Sequence, residues 1–311
     1  MKNKILLALF FFIVCSSFVK AQVITKGCSN ASVKLMLHSK TYVVLTGDEN
    51  FDTWMKATFE KHWMVAPFQF VTVTELDTLV KSDKRIFFFP QAKDDKTPSM
   101  RLLTTADIEA KKDMVFILSV GGFKQTKYLY TPATTGTKVI AFFKFSPTRA
   151  ETTAGMIEPE IMIAFMNQSI QTVIDNKIKT EVKDSVSLMI CKNATAMVGK
   201  TLIVHNAYND ETIMLDDKVL INDKVLQDYP YTYQLKSKAD IETIINDGSE
   251  NFCYLFLYFP SQYVNQADDS GDIIVYDAGS KKILYYGENY EGPWVEKWEF
   301  KDLIYATKGK L

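Results

Sequence analysis

The residues best suited to thiol or metal chemistry are few: three histidines and four cysteines in 311 residues. Thiol–disulfide exchange needs a second thiol close enough to resolve the first, usually as Cys-x-x-Cys. Beyond Cys15, the cysteines stand at 28, 191 and 253, separated by 163 and 62 residues, so that motif is absent. Cys191 follows Leu188-Met189-Ile190, and Cys253 sits inside the apolar run Phe252–Phe259. Both read as small buried hydrophobes, while Cys28, just before Ser29-Asn30, reads as the exposed thiol. His38, His62 and His205 show neither His-x-His nor His-x-x-x-His spacing. A metal site needs several such groups converging. His62, before Trp63, reads as a residue near a helix C-terminus, where its charged form suits the dipole.

Other motifs fail on spacing. Asp268-Asp269-Ser270-Gly271-Asp272 begins like a calcium loop, but an EF-hand needs Gly at the sixth position and an acid at the twelfth, which here is Gly279. Gly121-Gly122 leads into another strand-like stretch and reads as a bulge or hairpin turn, not a phosphate cradle. Thr46-Gly47-Asp48-Glu49-Asn50 follows a strand but is acidic, which repels phosphate. No Gly-x-Ser-x-Gly elbow is present, and nothing singles out a pair among the 37 acids. The stretch Tyr285–Trp294 mixes aromatics with acids, a surface able to stack on sugars or anchor a protein partner if its aromatics are not core. The sequence therefore assigns no catalytic, cofactor-binding or metal-binding residue, and no cofactor.

Composition sets the frame for these residues. The chain is 47% hydrophobic and 23% charged, with net charge -1, which excludes disorder and an overall attraction to nucleic acid. Residues 1–21 read as a signal peptide: Lys2 and Lys4, an apolar stretch from Ile5 to Val14, then Val19-Lys20-Ala21 before Gln22. This leader resembles those of exported bacterial proteins, a likeness confined to the leader. Bulky Phe12-Ile13-Val14 before Cys15 does not fit a lipobox. Cleavage between Ala21 and Gln22 leaves 33 basic against 37 acidic residues and three cysteines. No other segment has the length of about 20 apolar residues that a membrane span needs. The mature chain is expected in the periplasm or secreted.

Five segments recur in the same order, with offsets from 153 to about 170. Ser32–Met36 matches Ser185–Met189, Lys40–Val44 matches Lys200–Val204, and Pro67–Phe70 matches Pro230–Tyr233. Glu75–Leu79 matches Asp240–Ile244, and Ile86–Gln91 matches Leu255–Gln262. The order points to tandem duplication: unit one over 30–177, a linker over 178–184 and unit two over 185–311.

Within unit one, Thr41–Leu45 reads as a strand and Asn50 as the cap of a helix whose Phe51, Met55, Phe59 and Trp63 form one apolar stripe. Phe68–Val73 reads as a second strand. Thr74 is expected to cap a short helix through Thr74…Asp77, and Arg85–Phe89 to form a third strand ended by Pro90. The expected fold is α/β: two units, each a mixed sheet with a β-α-β-α-β start, a hairpin and a C-terminal helix. It is superficially thioredoxin-like or flavodoxin-like, without signature residues of either. The functional expectation is a non-catalytic envelope protein that binds a protein partner or a surface polymer. The alternatives are an oligomeric assembly factor and an exported hydrolase using paired carboxylates.

Overall fold

A computed structural model describes residues 28–79, 85–93, 100–120, 123–126, 129–132, 138–147, 155–179, 182–211, 219–258, 272–287 and 294–310. The leader, Gly121-Gly122, Asp268–Gly271 and 288–293 lie outside the described residues.

The fold is α/β and carries two five-stranded mixed paths. In the first half, helix α1 (Asn30–Leu37) precedes strand β1 (Thr41–Val44), helix α2 (Glu49–His62), β2 (Phe68–Val71), α3 (Val73–Leu79) and β3 (Ile86–Lys93). Then come β4 (Met100–Leu102), α4 (Thr105–Glu109), β5 (Met114–Val120), the pair β6 (Phe123–Thr126) and β7 (Leu129–Pro132), β8 (Lys138–Phe145) and α5 (Ile157–Asp175). The sheet runs β2-β1-β3-β5-β8, with β4 paired to the far end of β3. Strands β2, β1 and β3 are parallel, and β5 and β8 continue antiparallel.

The second half has α6 (Val182–Cys191), β9 (Thr201–His205), α7 (Asp223–Leu226), β10 (Tyr233–Lys236), α8 (Lys238–Asp247) and β11 (Phe252–Tyr258). The hairpin β12 (Asp272–Asp277) and β13 (Ile283–Gly287) and helix α9 (Lys297–Thr307) complete it. Its sheet, β10-β9-β11-β12-β13, has the same order and the same strand directions. Because the chain crosses the sheet in opposite senses after β1 and after β2, right-handed crossovers put α2 and α3 on opposite faces. The core clusters agree. Phe51, Met55 and Phe59 pack with Val43 and Phe88, while Leu76 packs with Val44 and Phe87.

The halves stack front to back. The α2/α5 face of the first half and the α8 face of the second share one core, while α7 and α9 lie with Leu202, Leu255 and Tyr285 on the outer face. Helix α5 is central: 13 of its 19 residues are buried, as expected of a helix packed on nearly every side. Its Phe165 ring lies 5.0 Å from Tyr286.

Several local expectations are corrected. Asp48, not Asn50, caps α2 by accepting from Phe51 N, so Asn50 falls in the first turn. The capping box of α3 is Thr72…Glu75, with Glu75 Oε2 2.7 Å from Thr72 N. β2 stops at Val71. Pro90 does not end β3. Its carbonyl accepts from Leu103 N on the edge where β1 has already ended, so the missing N–H costs no ladder bond.

The matched segments also fall out of register. Val43 pairs with Phe70, whereas of their matches Tyr233 pairs with Leu202, one residue short of Ile203. The halves share topology, and the residue matches across the first strands are shifted by one.

Candidate functional site

The residues first considered for chemistry are engaged in structure. Cys28, expected to be exposed, is 1% exposed: α1 folds back and buries it beside Val33 and Met36. Burial pushes its thiol, and that of Cys253, up to about 12. Among the described residues Cys28, Cys191 and Cys253 are all free. Among the described residues no group of three or more His, Cys, Asp or Glu side chains is placed to hold a metal ion.

His62 sits in the last turn of α2, where its Nε2 lies 2.9 Å from Glu160 Oε1 on α5. Lys61 Nζ reaches the same oxygen at 2.7 Å. Burial by itself raises the Glu160 pKa, but the His62 and Lys61 hydrogen bonds outweigh it and hold the carboxyl below its ordinary value. The group clamps α2 to α5.

The loop after β1 is closed upon itself. Asp52 accepts from Thr46 N at 2.8 Å, Thr46 Oγ1 at 2.9 Å and Gly47 N at 2.9 Å. With Asp48 on Phe51 N, the chain's own carboxylates occupy amides that a phosphate would use at this end of a parallel sheet. His205, last residue of β9, is 4% exposed and its Nδ1 has no hydrogen-bond partner among the described residues. Desolvation, then the nearby Lys238 charge, pulls its pKa down to about 4.

A groove of about 350 Å³ opens instead on the outer face of the second half, between α6, α9 and the end of the β12–β13 hairpin. Each helix supplies an acid and an apolar group at i, i+4 spacing, which brings both onto one helical face. These are Asp184 and Leu188 on α6, and Trp298 and Asp302 on α9. Leu188 is 50% exposed and Trp298 44%, so the rim is apolar and open to solvent.

Tyr285, 4% exposed, lies at the base. A Cβ on Gly287 would fall 2.7 Å from the Tyr285 hydroxyl, so only glycine lets that ring lie across the strand end. Cys191 Sγ is spent on the Tyr286 carbonyl at 3.2 Å. Glu299 also lines the groove, and its carboxylate accepts from Glu296 N at 2.7 Å to close the capping box of α9.

Among the described residues the lining holds three acids, Asp184, Glu299 and Asp302, and no Lys, Arg or His. Among the described residues neither Asp184 nor Asp302 enters an ion pair. The negative field registers on its neighbours. The Tyr285 hydroxyl is raised by burial, with Cys191, Asp302 and Glu299 adding to the rise. The Cys191 thiol is raised chiefly by burial, with Asp302 adding to the rise against the Tyr286 hydrogen bond. A thiol held protonated is a poor nucleophile.

The aromatic–acidic stretch at 285–294 contributes Tyr285, Tyr286 and Gly287 to this groove, the two tyrosines being largely core. The sequence reading did not pick out Asp184, Leu188 or Asp302. Their only local signal is the i, i+4 pairing on two helices far apart in the chain.

The chain matches no protein-family model, no curated protein and no solved structure.

Proposed function

We propose that this chain is an exported, non-catalytic envelope protein that binds a protein partner or a surface polymer, and that the α6–α9 groove is where it does so. The observation that carries this reading is the pairing of two half-exposed apolar side chains, Leu188 and Trp298, across a groove that also carries Asp184 and Asp302. Exposed apolar side chains gathered at a concavity mark interaction sites, and a tryptophan at the rim is a typical anchor. Export rests on the leader at residues 1–21.

The test is cross-linking and pull-down of the tagged mature chain from a fractionated envelope, beside the Leu188→Asp/Trp298→Ala variant. One or two stoichiometric partners, lost in the variant, support the reading. Partners retained by the variant move the site elsewhere, and recovery of a lone monomer sinks partner binding.

A second reading, assembly with further copies, is favoured by the stacking of the halves. The α7/α9 face of the second half is the topological counterpart of the α2/α5 face on which the second half itself is seated. A head-to-tail contact of this kind closes only if its rotation completes a ring, and otherwise extends as an open series. Elution as a concentration-dependent series of oligomers supports it, and a monomer at all concentrations removes it.

A further inference from the structure

We infer that the α6–α9 groove takes a lysine or arginine side chain presented by an exposed segment of a partner protein, an inference that rests on the binding reading above. The sign of the charge comes from the lining: among the described residues every ionised side chain there is an acid, and Asp184 and Asp302 have no cation of their own. The two acids come from different helices, so a cation entering the groove meets carboxylates from both α6 and α9. Glu299 is tied to its helix cap and adds to the field without offering a free face.

Size and surroundings choose the occupant. A volume of about 350 Å³ is at the small end for ligand pockets and suits one long side chain, not a folded surface. Trp298, half-exposed, offers an indole face to an ammonium or guanidinium. Leu188 extends the apolar rim. A free amine leaves that rim uncovered, whereas the stem and neighbouring residues of a peptide segment cover it. The raised thiol and phenol of Cys191 and Tyr285 stay uncharged, so neither competes with a bound cation for the two aspartates.

The test measures binding of a fluorescein-labelled six-residue lysine peptide to the mature chain by anisotropy, with glycine–serine and glutamate peptides of the same length as controls. The lysine peptide is expected to bind, more weakly as salt is raised, and the controls not to bind. Asp184→Asn and Asp302→Asn are each expected to weaken it about tenfold, the loss of one charge-assisted hydrogen bond. Both side chains are exposed, and an unchanged melting temperature verifies that the variants fold. Glu109→Gln, an exposed residue of α4, is expected to leave binding unchanged.

Equal weakening by Glu109→Gln overturns the inference, because attraction is then diffuse. Equal binding of the glycine–serine peptide overturns the charge requirement. Capture of an envelope partner through Leu188 and Trp298, with no binding of the lysine peptide, overturns this inference while the binding reading stands.

Discussion

Gln168 and Ile283 exchange two hydrogen bonds: the side-chain amide donates to the Ile283 carbonyl at 2.8 Å and accepts from its N–H at 2.7 Å. A glutamine on α5 thus completes the edge of β13 as a neighbouring strand would, across the junction of the two halves. Gln168→Ala leaves both backbone groups of Ile283 without these partners in a part-buried place. A loss of about 2–4 kcal/mol is expected, from two groups at roughly 1–2 kcal/mol each. Because the halves share one core, urea denaturation is expected to remain a single transition at lower midpoint. Two separated transitions in the wild type would mean that the halves fold independently.

His205 makes stability depend on pH. Its folded pKa is lowered to about 4 from 6.5, so between these values the unfolded chain binds a proton that the folded chain refuses. The contribution is complete above pH 6.5 and drains away as pH falls toward 4. The melting temperature should drop across that window, and His205→Gln should flatten the drop. An equal slope in both proteins excludes His205 as its source.

Glu160 acts lower on the scale. Its folded pKa lies below 4.5, so its stabilisation is present above that value and is lost as pH falls through the folded pKa. Glu160→Gln leaves His62, 3% exposed in its side chain, without its carboxylate. It should lower stability by about 1–3 kcal/mol at pH 7, with a smaller difference at pH 3. Thermal melts at the two pH values check this.

The three thiols should be silent in the folded protein. Cys28, Cys191 and Cys253 are buried and their pKa values raised, chiefly by burial. A chromogenic disulfide reagent is expected to titrate none of them within minutes at pH 8, and all three in denaturant. Fast reaction of one thiol in buffer would place it at the surface.

Gly287 shapes the groove. Gly287→Ala should force the Tyr285 ring from its place, because the added carbon would meet its hydroxyl at 2.7 Å. Weaker partner binding is expected, with a loss of stability of about 1–3 kcal/mol from overpacking. Unchanged binding with a displaced ring would separate Tyr285 from recognition.

Much of the fold was legible because it rests on short-range pattern. The Phe51, Met55, Phe59 stripe is the buried face of α2, and the strand–helix–strand order favours the parallel pairing that β1, β2 and β3 adopt. What failed was decided by neighbours in space. Thr72 and Thr74 both have an acid three residues on, and the longer glutamate side chain took the box. The one-residue shift between the pairs Val43–Phe70 and Leu202–Tyr233 cannot be read from two similar apolar strands, since the pairing partner sets the register. Cys28 looked exposed until α1 packed over it. The groove was least legible, since Asp184 and Asp302 are 118 residues apart and share only a place on neighbouring helices.

The most direct measurement is site-specific photocrosslinking in the intact envelope, with benzoylphenylalanine in place of Leu188 and, separately, of Val73 on the opposite face, which is 38% exposed. A discrete adduct of constant mass from position 188, and none from 73, is the expected result. No adduct at 188, or the same adducts at both positions, would show that the α6–α9 groove is not where this protein binds.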